Sequence, residues 1–137
     1  MRNHVRKAFT LIEILIVVVI LGILAAIVIP QFTKASEDAQ AGNVQTQLQT
    51  IRNTVELYRV RNNGAYPFSS SALAWTPLVT PDFLRSAPVN PRTNSEVIVL
   101  GTDHTSGATT NGWVWNDTSK TLFASYWDET SKNWTGP

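Results

Sequence analysis

The sequence predicts an α+β architecture: a long N-terminal helix, apolar all round in its first half, packs through an amphipathic second half on a small C-terminal antiparallel β-sheet. Three observations predict it. Phe9 to Phe32 carries a single charge. Residues 41–58 place apolar side chains at helical spacing. The last quarter joins β-branched and aromatic runs through turn-forming residues.

The apolar run FTLIEILIVVVILGILAAIVIPQF is 24 residues long, with Glu13 as its only charge. As a helix it would measure ~36 Å, enough to cross a hydrocarbon core. Arg2, Arg6 and Lys7 precede it, whereas Lys34 behind it is offset by Glu37 and Asp38. Basic residues stay on the cytoplasmic side, so the N-terminus is expected inside and the rest outside. A cleaved secretory signal ending near Ala25-Ala26 competes with this reading. The run exceeds the about 7–15 apolar residues of such signals, and apolar residues continue past Ala26.

Beyond Pro30 one apolar stripe remains: Ala41, Val44, Leu48, Ile51, Val55 and Tyr58, spaced 3, 4, 3, 4, 3. Leu57 and Val60 are expected to widen it. Gln45, Gln47, Gln49, Arg52, Asn53, Glu56 and Arg59 are expected to face water or a neighbour. Asn62-Asn63-Gly64 supplies residues that tolerate the left-handed conformation of a helix C-terminus. If Pro30 and Gly42 only bend it, one helix from Phe9 to about Arg61 would be ~80 Å long.

Pro67, Pro77, Pro81, Pro88 and Pro91 then exclude long helices. Short helical turns are expected at Ser70–Leu78 and Asp82–Leu84. Strands are expected at Glu96–Leu100, Gly112–Trp115 and Thr121–Tyr126, with a turn over Asn116–Lys120 making a hairpin of the last two, followed by a third short strand near Trp134.

Of the 137 residues, those after the apolar run suffice for one small domain of roughly 100 residues. Once Arg2, Arg6 and Lys7 are set aside, 8 basic residues face 10 acidic ones, net −2, so nucleic acid is not an expected partner. There is no cysteine, so core packing, neighbouring subunits or a metal must replace disulfides.

Glu13 is the sharpest clue, because an ionised carboxylate within a membrane helix costs several kcal/mol unless it is paired or snorkels to the interface. It lies one helical turn from Phe9. A cut between Ala8 and Phe9 would remove the basic leader MRNHVRKA and create an α-amino group within reach of Glu13, its own or a neighbour's.

The string KA-FTLIEILIVVVILGILAAIVIPQF, with Phe9, Thr10, Leu11, Glu13, Gly22 and Pro30, resembles the N-terminal signature of type IV pilins and of type II secretion pseudopilins. The resemblance implies a leader (1–8), a transmembrane and polymerisation half-helix (9–32) and a soluble head (33–137). It also implies cleavage before Phe9 by a prepilin peptidase, N-methylation of Phe9, and residence in membrane lipid before helix-to-helix packing into a homopolymer on an inner-membrane assembly platform. Ala8 departs from the glycine usual before the cut. Tyr58, Gly64, Tyr66 and Pro67 match the pattern closing the long helix of G-type major pseudopilins. Phe83-Leu84, Pro88 and the run Gly112–Asp117 extend the likeness in outline. A pseudopilus subunit for protein secretion is therefore expected, with a type IV pilus subunit for adhesion, motility or DNA uptake as the alternative. Assembly would rest on Phe9, Glu13, Gly22 and Pro30. Gly22 and Pro30 mark where the helix loosens between lipid and filament, or are simply tolerated in a membrane helix.

Other residues carry weaker readings. Asp117, Asp128 and Glu129 could offer oxygens to Ca²⁺, but lack an alternating acidic ladder, and solvated turns explain them; no metal or cofactor is expected. Trp113, Trp115, Trp127 and Trp134 could form a carbohydrate platform of a membrane-anchored binding module, although core packing is the simpler role. His4 and His104 cannot share a site once the leader is gone. No nucleophile with a base and no phosphate loop is visible, so the chain is not expected to be an enzyme. Asn116-Asp-Thr and Asn133-Trp-Thr match a glycosylation pattern that also arises by chance.

Overall fold

A computed structural model describes residues 9–136, in two compact units that divide after Glu37. The leader 1–8, including Ala8 and His4, lies outside the described residues. Helix α1, Leu11–Arg61, contains Pro30. At its C-terminus Asn63 takes φ 53° and Gly64 φ 90°. The Gly64 N–H donates to the Arg59 carbonyl at 2.8 Å, a closure that only residues tolerant of positive φ can make.

In the second unit the expected stripe is the buried one. Val44, Leu48, Ile51 and Val55 are buried, and Ala41 and Tyr58 pack at its margin. Leu57 and Val60 do not widen it; they are 43% and 73% exposed, because they lie on the opposite side of a 3.6-residue helix. The stripe meets Phe68, Trp75, Leu78, Ile98, Trp113, Trp115, Leu122 and Trp127.

The segment rich in proline forms turns, with one helical turn of the kind expected near Leu78 and no longer helix. The bond from Val79 N–H to the Trp75 carbonyl closes a single turn, and Phe83 N–H donates to Thr80. Two side chains hold this segment to the sheet: the Trp113 indole donates to the Pro88 carbonyl at 2.8 Å, and Asn90 is fully buried against the strand ends. Its amide donates to the carbonyls of Gly112 at 2.8 Å and Ser125 at 3.3 Å, and its oxygen accepts the Arg92 N–H at 2.9 Å.

Strands β1 (Ile98–Leu100), β2 (Trp113–Asn116) and β3 (Thr121–Ala124) form one sheet in that order. β2 and β3 are the expected antiparallel hairpin, in register Trp113 with Ala124 and Trp115 with Leu122. The turn places Lys120 at φ 55°. β1 departs from expectation by running parallel to β2. A parallel neighbour needs a crossover, and residues 101–112 supply it, including a 3₁₀ turn at His104–Ser106. Gly112 passes so close to the Ser95 carbonyl that a Cβ there would collide with it. β4 (Trp127–Asp128) and β5 (Asn133–Trp134) form a separate antiparallel pair. The short strand expected near Trp134 is β5, paired with β4 and not with the β2–β3 hairpin. The left-handed Tyr126, φ 62°, ends the preceding run. The α+β layout of a long apolar N-terminal helix and a small sheet is as expected, with the sheet mixed.

Candidate assembly site on the N-terminal helix

Thr10 and Glu13 build the start of α1. The Thr10 hydroxyl accepts the Glu13 N–H at 3.2 Å, and Glu13 Oε2 accepts the Thr10 N–H at 2.8 Å and the Thr10 hydroxyl at 2.9 Å. This reciprocal arrangement satisfies donors that a helix N-terminus otherwise leaves open. Both bonds end on Oε2; Oε1 accepts none among the described residues. The Thr-x-x-Glu spacing was visible in the sequence, yet Thr10 as the cap was not anticipated.

Phe9, 82% exposed, stands one turn from Glu13. Every residue from Phe9 to Ala39 is exposed, and over this stretch α1 is long and apolar enough to cross a membrane. An apolar surface of this extent is expected in a protein only where lipid or another chain covers it. Gly22 has open space about its Cα. Pro30 has no N–H to offer the Ala26 carbonyl. Neither is near Glu13, from which they are 9 and 17 residues along the helix. Ala8 lies outside the described residues.

The remaining candidates disperse. Asp117 accepts from Lys120 at 2.7 Å and from the Trp115 indole at 3.2 Å. Asp128 accepts the Ser131 hydroxyl at 2.7 Å and the Thr130 N–H at 2.8 Å. The Lys120 and Ser131 contacts, first among their partners, hold both carboxyls below the ordinary value of 3.8. Glu129 pairs with Arg52. No group of three or more His, Cys, Asp or Glu side chains able to hold a metal occurs among the described residues. His104 lies in the 3₁₀ turn.

The tryptophans are core. Trp113 and Trp115 are fully buried and Trp127 nearly so. Trp134 packs edge-on against Trp127 with centroids 5.1 Å apart. This leaves no exposed aromatic platform on those four residues. The Asn116 side chain donates to the Thr102 carbonyl and accepts from Thr118 and Ser119, an internal turn role. Arg52, expected to face water or a neighbour, instead bonds Leu122 and Glu129.

Residues 3–29 match the family described as a prokaryotic N-terminal methylation motif. The chain is 34% identical over 102 residues to the type II secretion system core protein G of Pseudomonas aeruginosa, covering 66% of this chain and 71% of the relative. It is 29% identical over 102 residues to that of Klebsiella michiganensis, with the same coverage. The type IV narrow pilus major component PilA5 of Thermus thermophilus is 40% identical over 58 residues, 42% of this chain and 50% of the relative. No solved structure gives a significant match. An exposed apolar helix, a processing motif at its start and a relative matched over more than two thirds of its length make this chain a membrane-anchored, filament-forming subunit that belongs to the type II secretion system core protein G family.

Proposed function

We propose that the chain is the repeating subunit of a type II secretion pseudopilus, a short filament that pushes folded proteins outward. The observation that carries this reading is the 34% identity to core protein G of Pseudomonas aeruginosa over 66% of this chain and 71% of that protein. The head faces away from the cytoplasm, in keeping with Arg2, Arg6 and Lys7 ahead of the span. A prepilin peptidase removes residues 1–8 between Ala8 and Phe9, and the new Phe9 amine is methylated. Residues 9–32 sit in inner-membrane lipid and then pack helix to helix on an assembly platform, while 33–137 form the head. Glu13 of one subunit receives the Phe9 amine of the next, through the carboxylate oxygen that the capping arrangement leaves open. Gly22 and Pro30 let the helix adjust between lipid and filament. The role is structural, without a catalytic step.

The type IV pilus reading is supported by the similarity to PilA5, confined to 58 residues. A deletion strain separates the two. Accumulation of exoproteins inside cells that keep their surface fibres supports the pseudopilus; loss of fibres with normal secretion supports the pilus.

A further inference from the structure

The head carries two apolar features that its own core leaves uncovered. On α1, Leu57 is 43% and Val60 73% exposed, and Val60 lies half a turn round from the buried Ile51. Elsewhere an open groove of about 500 Å³ is lined by Leu73, Trp75, Val79, Ala87 and Val97, with Glu96 at its edge. Val97 is 49% exposed. The Trp75 indole donates to the Glu96 carbonyl at 2.6 Å, so this wall of the groove is set before anything binds. Neither Leu57 nor Val60 lines it.

The charges beside the two features are opposite. Arg59 and Arg61 flank Val60, but Arg59 is ion-paired at 2.8 Å with Glu56, which adjoins Leu57, so Arg61 is the cation that sets the sign of the ridge. Arg61 reaches Asp82 only at 3.8 Å, with both side chains more than half exposed. Glu96 is exposed and its carboxylate makes no ion pair among the described residues. A ridge that ends in Arg61 and a groove that includes Glu96 have complementary potential.

We propose that neighbouring copies of this chain dock head to head through these unlike patches: the Leu57–Val60 ridge of one copy enters the Trp75–Val97 groove of the next, with Arg61 facing Glu96. The inference rests on the filament reading and deepens it. Two different patches on one chain join copies heterologously, and such contacts propagate into an open helical array where the rotation between copies does not close a ring, as the filament reading requires. The occupant is a second copy because the ridge lies on α1, whose exposed apolar length the filament reading already covers with neighbouring copies.

The chain has no cysteine, so an engineered pair reports without background. Full-length Val60→Cys with Val97→Cys, oxidised in filaments, should give a ladder of covalent multimers, whereas either single variant should stop at dimers or below. Filaments that form without a ladder overturn the contact and leave the assembly reading standing. Full-length Leu57→Asp with Val60→Asp should insert into membranes and keep the wild-type melting of tryptophan fluorescence, yet lose most of the filament yield. Wild-type yield from that variant overturns the contact even where the cysteine chains do not assemble. Absence of filaments from the unsubstituted chain overturns both readings.

Discussion

The Arg52 guanidinium grips both carboxylate oxygens of Glu129, at 2.8 and 2.6 Å, and donates twice to the Leu122 carbonyl, at 2.9 and 2.6 Å. One helix side chain thereby ties α1 to β3 and to the residue that follows β4. The pair is about one-third exposed, 32% and 35%, so solvent screens part of its attraction. Arg52→Met should lower stability by ~1–2 kcal/mol, because the Leu122 carbonyl also loses its partner. Glu129→Gln keeps those carbonyl bonds and should cost less. Thermal melts of the full chain in detergent, followed by tryptophan fluorescence, rank the two; the reverse order would contradict the double role.

Glu13→Leu should leave membrane insertion intact, since it replaces a costly charge by an apolar residue, yet block filament assembly. A Phe9 amine buried between subunits without a carboxylate costs far more than the intact pair contributes. Glu13→Gln should fail as well, and Glu13→Asp should retain a fraction. The yield of sheared filaments beside the membrane pool is the measurement. Normal yield from Glu13→Leu, with no wild-type chain present, would falsify the pairing.

Intact mass of the membrane-extracted protein should correspond to a chain starting at Phe9 with one added methyl group. A start near Ile27 would instead identify a secretory signal. Retention of residues 1–8 in filaments would show that Ala8 is a poor substitute for glycine before the cut.

Asn90→Ala should destabilise the head by ~1–3 kcal/mol, because the carbonyls of Gly112 and Ser125 would stay buried without this donor. Asn53→Ala, on the polar side of α1, should stay within about 0.5 kcal/mol. Similar melting of the two variants would remove Asn90 from its role as a tie between the proline-rich segment and the sheet.

Acid should weaken the head in a defined window. The carboxyls of Asp103, Asp117 and Asp128 are held below the ordinary 3.8, chiefly by the Thr105 hydroxyl, Lys120 and the Ser131 hydroxyl respectively. A lowered folded value means that the folded chain binds fewer protons than the unfolded one. The stabilisation is therefore complete above 3.8 and is lost as pH falls through the folded values. Melting temperature against pH should be flat on the neutral side and fall below that range, with a shallower fall in Asp128→Asn. A decline that begins near neutrality would point to other groups.

Local pattern alone determined the long helix, its buried stripe from Val44 to Val55, its stop at Asn63-Gly64 and the β2–β3 hairpin. Each follows from periodicity or turn chemistry over a few residues. The carboxylate at position 13 was equally legible, since one charge among apolar neighbours needs no fold to be conspicuous. Helical periodicity also sets Leu57 and Val60 opposite the stripe and so outside the core. Tertiary structure alone decided that β1 runs parallel to β2 after a crossover of residues 101–112. It also decided that Arg52 turns inward and that Asn90 is buried. The physical reason is common to all three: hydrophobicity and charge state what a residue prefers, but which strand, carbonyl or carboxylate meets it is set by segments that are distant in the chain. Arg52 and Glu129 are 77 residues apart, beyond the reach of any local pattern.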